Sequence, residues 1–433
     1  MTSRIVVIGG GIGGVTAALR LAEAGHQVTV VERGDQLGGL VSSLTVGGTP
    51  LECYYHHVFP HEDGIRALID EVGLGDRLAW VPSSLGVFTA GRLWPFTTPR
   101  DLIRFRPLPW RDRLHLGVGA LRVPRIKDWR QLDGVSALDW LRRLTGRRAT
   151  EVIWSPLLDA KFGAAAQTVP AAWMWARLTQ RAGARHRGGE QLGYLRGGFR
   201  QLFDALTARL VAAGAEIRTG TCVTSVVVTD GRVTGVETTG GSLAADAVLY
   251  AGAQPALSPL VPEEHRDPRW TMTAGLGVLC VVVELARPVS DTYWTNVCDP
   301  ALPFCALVEH TNLMPAGDYG GRHVVYLSRY LVGDEPSALA DPAAEAARWV
   351  EALRATWPHI AAEDVLAVHP FRAHYAAPLV RIGHASRVTP LRAALPGLYV
   401  ATTAQIYPDD RGMDQGVKLA ERVVSVMRAD LTA

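Results

Sequence analysis

A glycine-rich turn close to the N-terminus constrains this chain more than any other sequence feature. Residues 9–14 read G-x-G-x-x-G, with an apolar run before them and a helical pattern after them. Gly9 allows a tight turn, Gly11 lets backbone amides approach a pyrophosphate, and Gly14 lets the helix pack against the strand. We therefore predict a dinucleotide-binding turn in which Gly9, Gly11, Gly13 and Gly14 lie at the cofactor.

The segments around this turn predict a βαβ unit. Residues 5–8 and 27–31 have the apolar character of buried strands, and residues 15–24 have helical spacing. Glu32 follows the second strand about 20 residues after the turn, where a carboxylate accepts hydrogen bonds from ribose hydroxyls. An exposed carboxylate at a strand end is the structural alternative for Glu32. A βαβ opening favours a doubly wound parallel sheet.

The composition excludes several classes of protein. A chain of 433 residues with 48% hydrophobic and 20% charged residues is globular and long enough for two or three domains. A net charge of +2 gives no sign of a nucleic-acid partner. The five cysteines lack metal-binding spacing, and no apolar run in the sequence reaches membrane-spanning length; we expect no leader peptide. We expect a cytoplasmic protein without a metal site, and the oligomeric state stays open.

The residues that follow the second strand indicate which dinucleotide binds. Residues 32–39 read E-R-G-D-Q-L-G-G and add a second glycine pair to the fingerprint. This segment resembles the motif of the superfamily of flavin amine oxidases and protoporphyrinogen oxidases, in which the paired glycines begin a loop beneath the flavin. The resemblance implies FAD as the cofactor, with Arg33, Gly38 and Gly39 at its binding site.

Three further blocks are similar to the same superfamily. Residues 193–199 resemble its G-x-x-x-G-G block, and the strand at 223–228 resembles the one that contacts adenine, with Val223 as the best candidate. Residues 397–401 resemble the C-terminal strand that leads to the flavin. Many relatives continue with Gly-Asp, whereas this chain has Thr402, whose hydroxyl is the expected substitute.

The segment after Thr402 opens the last helical pattern of the chain. A helix N-terminus stabilises negative charge that develops on a reduced flavin. We predict that Asp410, Arg411, Gly412 and Met413 lie beside the flavin ring. An ordinary helix cap is the structural alternative.

The resemblance implies an α/β fold in which a discontinuous, Rossmann-like FAD-binding domain carries an inserted α+β substrate domain. We predict the FAD-binding domain over residues 1–75, 191–262 and 389–433, and the substrate domain over 76–190 and 263–388. Within the second substrate segment, residues 277–284 and 323–328 have the apolar character of strands.

An unusual run of histidines and aromatic residues lies at 52–61. Adjacent imidazoles can move protons near neutral pH, so His56 and His57 are candidate catalytic residues beside the flavin. His57 also begins a His-Val-Phe segment that is similar to the His-Ile-Phe of UDP-galactopyranose mutases. Adjacent side chains on a strand point to opposite faces, which argues against a shared metal ion. Buried structural histidines are the alternative.

Three other features are weaker candidates for the substrate site. Lys161 is one of only three lysines, and a buried lysine can activate water or polarise a substrate; a surface ion pair is its alternative. Tyr407 is a candidate for lining the pocket. Residues 100–130 contain nine Arg or Lys and three Asp, which predicts a lid over a phosphorylated substrate, a contact with anionic lipid or a solvated basic face.

The expected activity is that of an FAD-dependent oxidoreductase. It would take a hydride equivalent from a C–N, C–O or C–C bond of a small polar substrate, such as an amine, a polyol or a sugar-like, phosphorylated molecule. Oxygen or another acceptor would reoxidise the flavin, because the chain has no second G-x-G-x-x-G for a nicotinamide. The alternatives are a redox-neutral sugar-nucleotide mutase and a non-catalytic binding protein that resembles GDP dissociation inhibitors.

Overall fold

The computed structural model describes residues 2–183, 185–186, 189–333 and 341–432. Within these ranges, the chain contains both strands and helices. The strands are β1 Arg4–Ile8, β2 Gln27–Val31, β3 Ser43–Val46, β4 Thr49–Glu52, β5 Leu78–Pro82, β6 Leu85–Thr89, β7 Arg92–Pro95, β8 Arg185–His186, β9 Gly189–Leu195, β10 Glu216–Arg218, β11 Val223–Thr229, β12 Arg232–Thr238, β13 Leu243–Ala244, β14 Ala247–Tyr250, β15 Gly275–Leu285, β16 Trp294–Val297, β17 Ala306–Glu309, β18 His323–Val332, β19 Val365–Pro378 and β20 Leu398–Val400. The helices are α1 Ile12–Glu23, α2 Asp63–Glu71, α3 Pro99–Arg104, α4 Trp110–Arg122, α5 Ala137–Thr145, α6 Arg147–Ala149, α7 Ser155–Phe162, α8 Ala171–Gly183, α9 Arg200–Ala212, α10 Arg269–Met272, α11 Pro342–Thr356 and α12 Met413–Leu431.

A parallel sheet of five strands contains the glycine-rich turn. Its strand order is β10-β2-β1-β14-β20, and β1 pairs in parallel with both β2 and β14. These strands come from three separate parts of the chain, so the sheet is discontinuous in sequence. Helices α1, α9 and α12 pack together beside this sheet, since their buried residues share one hydrophobic cluster with those of β1 and β2. The predicted α/β fold of Rossmann type is confirmed.

Close packing at the turn fixes α1 on the sheet. Gly9 has a backbone φ of +109°, a conformation that residues with a side chain rarely adopt. A Cβ atom on Gly14 would lie only 2.0 Å from the carbonyl oxygen of Gly9, so no larger residue fits there. Val7, Val15 and Leu19 are fully buried at this junction. The first turn of α1 is therefore held at the carboxyl end of β1.

A second, mixed sheet of seven strands lies in the other part of the molecule. Its order is β19-β15-β18-β17-β16-β6-β7, and every pair is antiparallel except β6 with β16. Strands β15 and β18 correspond to the two strands expected at 277–284 and 323–328, and both are longer than expected. The four boundaries of the domain division stay a prediction.

No helix in the described part of the chain combines the length and the apolar character that crossing a bilayer requires. The longest of these helices is α12, with 19 residues, and it carries charged residues on its exposed side.

A buried carboxylate links β4 to β9 and to the N-cap residue of α9. Glu52, at the end of β4, accepts hydrogen bonds from the Tyr194 hydroxyl and from the backbone N–H of Phe199, both at 2.6 Å. The Tyr326 hydroxyl, on β18, donates to the carbonyl oxygen of Glu52 at 2.7 Å. Burial raises the pKa of Glu52 to about 7, although its hydrogen bonds oppose this shift.

We predict that Glu52→Gln flattens the pH dependence of stability. The pKa of Glu52 is higher in the folded chain than in the unfolded chain, so its stabilising effect is complete below about pH 4.5 and is lost as pH rises through about 7. The shift corresponds to about 3 kcal/mol. Between pH 5 and pH 8, the thermal midpoint of the wild type should therefore fall more than that of the variant. Equal falls in both proteins would contradict the assignment.

Candidate functional site

The glycine-rich turn and the second glycine pair lie against each other. The backbone N–H of Gly38 donates to the carbonyl oxygen of Gly10 at 2.9 Å, and a Cβ atom on Gly39 would lie 3.3 Å from the Cα of Gly11. A Cβ atom on Gly11 itself would meet nothing within 4 Å, and α1 begins there without a side-chain cap. The N-terminus of α1 therefore faces open space, where its unpaired N–H groups favour an anion.

Three other predicted cofactor residues surround this turn. The carboxylate of Glu32 accepts hydrogen bonds from the backbone N–H groups of Gly10 at 2.6 Å and Gly34 at 2.7 Å. Arg33 is exposed beside it, and Val223 is half-buried against the cluster that contains Val31. Glu32 is thus fixed at the end of β2, as a ribose-binding carboxylate requires.

The N-terminus of α12 approaches the turn from the other side. A Cβ atom on Gly13 would lie 3.4 Å from the carbonyl oxygen of Gly416, in the first turn of α12. Helix α12 starts at Met413, which is buried, and its N-cap residue Gly412 supplies no side-chain hydrogen bond. The buried Oε1 of Gln415 has no hydrogen-bond partner among the described residues. Two helix N-termini therefore point into one cleft.

The side chain of Thr402 has an internal role in the structure. Its hydroxyl donates to Gln254 Oε1 at 3.0 Å, and its backbone N–H donates to Gln405 Oε1 at 2.7 Å. Thr402 is buried at the end of β20, so its side chain fixes the loop that leads to α12.

A partly buried ion cluster lies just before α12. The Asp410 carboxylate is 3.0 Å from Lys161 Nζ and 3.8 Å from Arg411 Nη1, and it also accepts a hydrogen bond from Arg177. Arg411 Nη2 donates to the Tyr330 hydroxyl at 3.1 Å. Three cations thus face one carboxylate, which leaves an excess of positive charge. We call these five residues the Asp410 cluster.

The cluster changes the pKa values of its members. Burial would raise the pKa of Asp410, but Lys161, Arg177 and Arg411 hold it well below its usual range. Burial lowers the pKa of Lys161, and Asp410 opposes this shift. Burial would also raise the pKa of Tyr330, yet Arg411 and Lys161 bring it below its ordinary value. Asp410 is therefore ionised at neutral pH.

The two histidines lie on an irregular segment and not on a strand. His56 Nδ1 is 2.7 Å from the carbonyl oxygen of Tyr54; because a carbonyl only accepts, Nδ1 carries the proton and Nε2 is left as an acceptor. Burial, with a smaller contribution from nearby Arg411, lowers the pKa of His56 to about 4, although the hydrogen bond to Tyr54 opposes this shift. His57 Nδ1 is 3.2 Å from the Tyr293 hydroxyl, and burial lowers the pKa of His57 to about 3. Both imidazoles are neutral at pH 7.

Tyr407 has its own hydrogen-bond partner. Its hydroxyl donates to the carboxylate of Asp133, and its ring packs against Trp129 and His384, with ring centroids 5.4 and 4.9 Å apart. Burial and Asp133 both raise the pKa of Tyr407. The structure thus places His56 near Arg411 and His57 near Arg177, whereas the hydroxyl of Tyr407 is hydrogen-bonded to Asp133 and not to a member of the Asp410 cluster.

Arg177 and Tyr330 were not predicted from the sequence. Arg177 is one of several polar residues on α8, and Tyr330 lies near the end of β18. Neither residue belongs to a sequence motif. No local pattern brings them together, because α7, α8, β18 and the segment before α12 meet only in the folded chain.

Comparison with known proteins agrees with this geometry. The profile of the flavin-containing amine oxidoreductase family matches residues 12–423. The chain belongs to this family. Its cofactor is FAD, and it is an FAD-dependent oxidoreductase.

Similar proteins differ in what they act on. Coproporphyrinogen III oxidase of Mycobacterium tuberculosis is 27% identical, over 97% of this chain and 96% of that protein. Reduced UDP-galactopyranose mutase has the same fold, with a TM-score of 0.75, 15% identity, and coverage of 98% of this chain and 94% of its own. Wild-type putrescine oxidase superposes with a TM-score of 0.73, 16% identity and 99% coverage of both chains. These two structures support the fold alone.

We predict that Gly11→Ala weakens FAD binding without destabilising this flavoprotein. Gly11 has an ordinary φ of −72°, and an added methyl group would enter the open space where a pyrophosphate fits. The FAD dissociation constant should rise about tenfold or more. The matched control is Gly317→Ala, since a Cβ atom on Gly317 also meets nothing within 4 Å. Equal FAD affinity in both variants, measured by titration of the apoprotein, would argue against this site.

Proposed function

We propose that this flavoprotein oxidises a substrate that carries carboxylate groups, with a porphyrinogen as the first candidate. The observation that carries the proposal is the positive charge of the Asp410 cluster, next to two neutral histidines.

The cations of the cluster are more accessible than its carboxylate. The side chains of Arg177 and Arg411 are 35% and 21% exposed, whereas that of Asp410 is 8% exposed. A substrate that enters therefore meets guanidinium groups, which form bidentate hydrogen bonds with carboxylates. An ammonium group would be repelled by the same charge in a site of low dielectric constant. The cluster thus favours an anionic substrate over a cationic amine.

The predicted cofactor residues form two groups, one at the glycine-rich turn and one at the N-terminus of α12. We propose that the amides around Gly11 hold the pyrophosphate and that Glu32 binds a ribose, while Arg33, Gly38, Gly39 and Val223 complete this half of the cleft. The uncapped N-terminus of α12, at Gly412 and Met413, would lie beside the flavin ring, where the unpaired Oε1 of Gln415 needs a donor.

His56 is the proposed proton acceptor. Bound FAD supplies the chemistry by accepting a hydride equivalent from a C–N, C–O or C–C bond of the substrate. The substrate must lose one proton for each such pair of electrons. The Nε2 atom of His56 has a free lone pair and can accept that proton or pass it to water. Oxygen or another acceptor then reoxidises the cofactor.

The coproporphyrinogen III oxidase of M. tuberculosis supports the choice of substrate, because it aligns with almost the whole chain. Porphyrinogens carry several carboxylate groups and lose hydrogen in steps of two electrons. A redox-neutral mutase is the second candidate, because the same cations would bind the diphosphate of a sugar nucleotide and His57 begins the segment similar to mutases.

We test the substrate class by adding candidates to the FAD-loaded enzyme without oxygen and following the visible flavin band. The expected result is bleaching by coproporphyrinogen III and none by putrescine. Bleaching by putrescine alone would overturn the proposal. Conversion of UDP-galactopyranose by the dithionite-reduced enzyme, without bleaching by any porphyrinogen, would establish the mutase instead.

Arg177→Gln is the matched variant for this test. Loss of one charge-assisted hydrogen bond should raise KM for the carboxylate substrate about tenfold or more, with a smaller change in kcat. Arg422→Gln, on the exposed side of α12, is the control. An unchanged KM in Arg177→Gln would show that the Asp410 cluster does not bind the substrate.

A further inference from the structure

Two consecutive helices, α3 and α4, expose an unusual amount of apolar surface. Most of the large, exposed hydrophobic residues of the described chain lie on α3 and α4: Ile103 at 70%, Trp110 at 64%, Leu114 at 62%, Val118 at 38% and Leu121 at 70%. The other three are single residues on separate elements, namely Val211, Met272 and Leu366. An exposed apolar patch of this kind marks an interaction surface.

The apolar residues of α4 form one stripe. With about 3.6 residues per turn, Trp110, Leu114, Val118 and Leu121 fall on one side of the helix, within about 80° of each other. Exposed Arg111 and Arg122 border this stripe.

The stripe points away from the protein. The opposite side of α4 is buried at Leu116 and Gly119, and a Cβ atom on Gly119 would lie 2.3 Å from the carbonyl oxygen of Leu144 on α5. Helix α4 therefore packs closely against α5. Its apolar side faces solvent.

The charge around the stripe is strongly basic. Residues 100–130 carry nine Arg or Lys and three Asp, a net charge of +6. The whole chain has a net charge of +2, so the remainder of the chain is net negative, at −4. Exposed Arg100, Arg104 and Arg106 lie around Ile103, and exposed Arg125 and Lys127 follow α4. The positive charge is therefore concentrated where the apolar side chains protrude.

We propose that α3 and α4 form a docking surface for an anionic phospholipid bilayer. An amphipathic helix of this kind lies in the plane of the interface, with its apolar side among the acyl chains and its basic residues at the head groups. Basic residues near a membrane surface are attracted by anionic lipids. A bilayer explains both the protruding apolar stripe and its basic border. This inference does not depend on the substrate of the enzyme.

The test is flotation of the FAD-loaded protein with lipid vesicles. We expect binding to vesicles of phosphatidylcholine with phosphatidylglycerol and about tenfold weaker binding to phosphatidylcholine alone. Higher salt should weaken the binding without abolishing it, since the apolar contribution is not screened.

Two variants separate the apolar and the basic contributions. Replacement of Trp110, Leu114 and Leu121 by Gln should weaken binding about tenfold or more, and Arg111→Gln with Arg122→Gln should weaken binding to the anionic vesicles only. The controls are Val211→Gln with Leu366→Gln, which removes exposed apolar residues elsewhere, and Arg422→Gln.

Three results would overturn the proposal. The first is a wild-type protein that floats with neither kind of vesicle. The second is a triple Gln variant that retains its FAD and floats as the wild type does. The third is a wild-type dimer that the triple variant converts to a monomer, without vesicle binding by either; this would assign the surface to a second copy of the chain.

Discussion

The contact between the main chain of Gly9 and the start of α1 is the constraint on which the rest of the structure depends. No Cβ atom fits at Gly14, so the helix lies directly on the turn and its N-terminus stays at the carboxyl ends of the parallel strands. The second glycine pair packs against this turn, and α12 lies so close that a Cβ atom on Gly13 would be 3.4 Å from the carbonyl oxygen of Gly416. One close contact therefore positions three segments of the cofactor cleft.

The Asp410 cluster has a comparable role on the other side of the cleft. A carboxylate taken out of water is costly unless it is paired, and Asp410 is paired with side chains from α7 and α8 as well as with Arg411. Helices α7 and α8 contribute to one cluster of buried hydrophobic residues, whereas α12 belongs to another, which it shares with α1 and α9. The same ion pairs that join the two clusters leave an excess of positive charge where the substrate is proposed to bind.

The features that could be predicted from the sequence are those that depend on residues close to one another along the chain. The β1-α1-β2 unit, Glu32 and the start of α12 depend on residues within one short segment. Strand β19 was not predicted, because Pro370 and several polar residues interrupt its apolar pattern. Pro370 is tolerated since β19 is an edge strand of its sheet. Likewise, α4 has helical spacing, but only the packing of Gly119 shows that its apolar stripe faces outward.

The residues of the candidate site likewise fall into those that could be predicted from the sequence and those that could not. The histidines, Lys161, Asp410 and Arg411 are recognisable by residue type and context, whereas Arg177 and Tyr330 become part of the site only through the tertiary fold. Tyr407 shows the opposite case, since it is close to Asp410 in sequence but its hydroxyl is bonded to Asp133.

The midpoint potential of the bound flavin tests most directly whether the Asp410 cluster lies beside the cofactor. Excess positive charge stabilises the reduced form of FAD, so Arg411→Gln should lower the potential and Asp410→Asn should raise it. Each 1 kcal/mol of differential stabilisation corresponds to roughly 20 mV for a two-electron couple. Opposite shifts in the two variants are the result that the account predicts. Two potentials equal to that of the wild type would place the cluster away from the flavin and contradict the account.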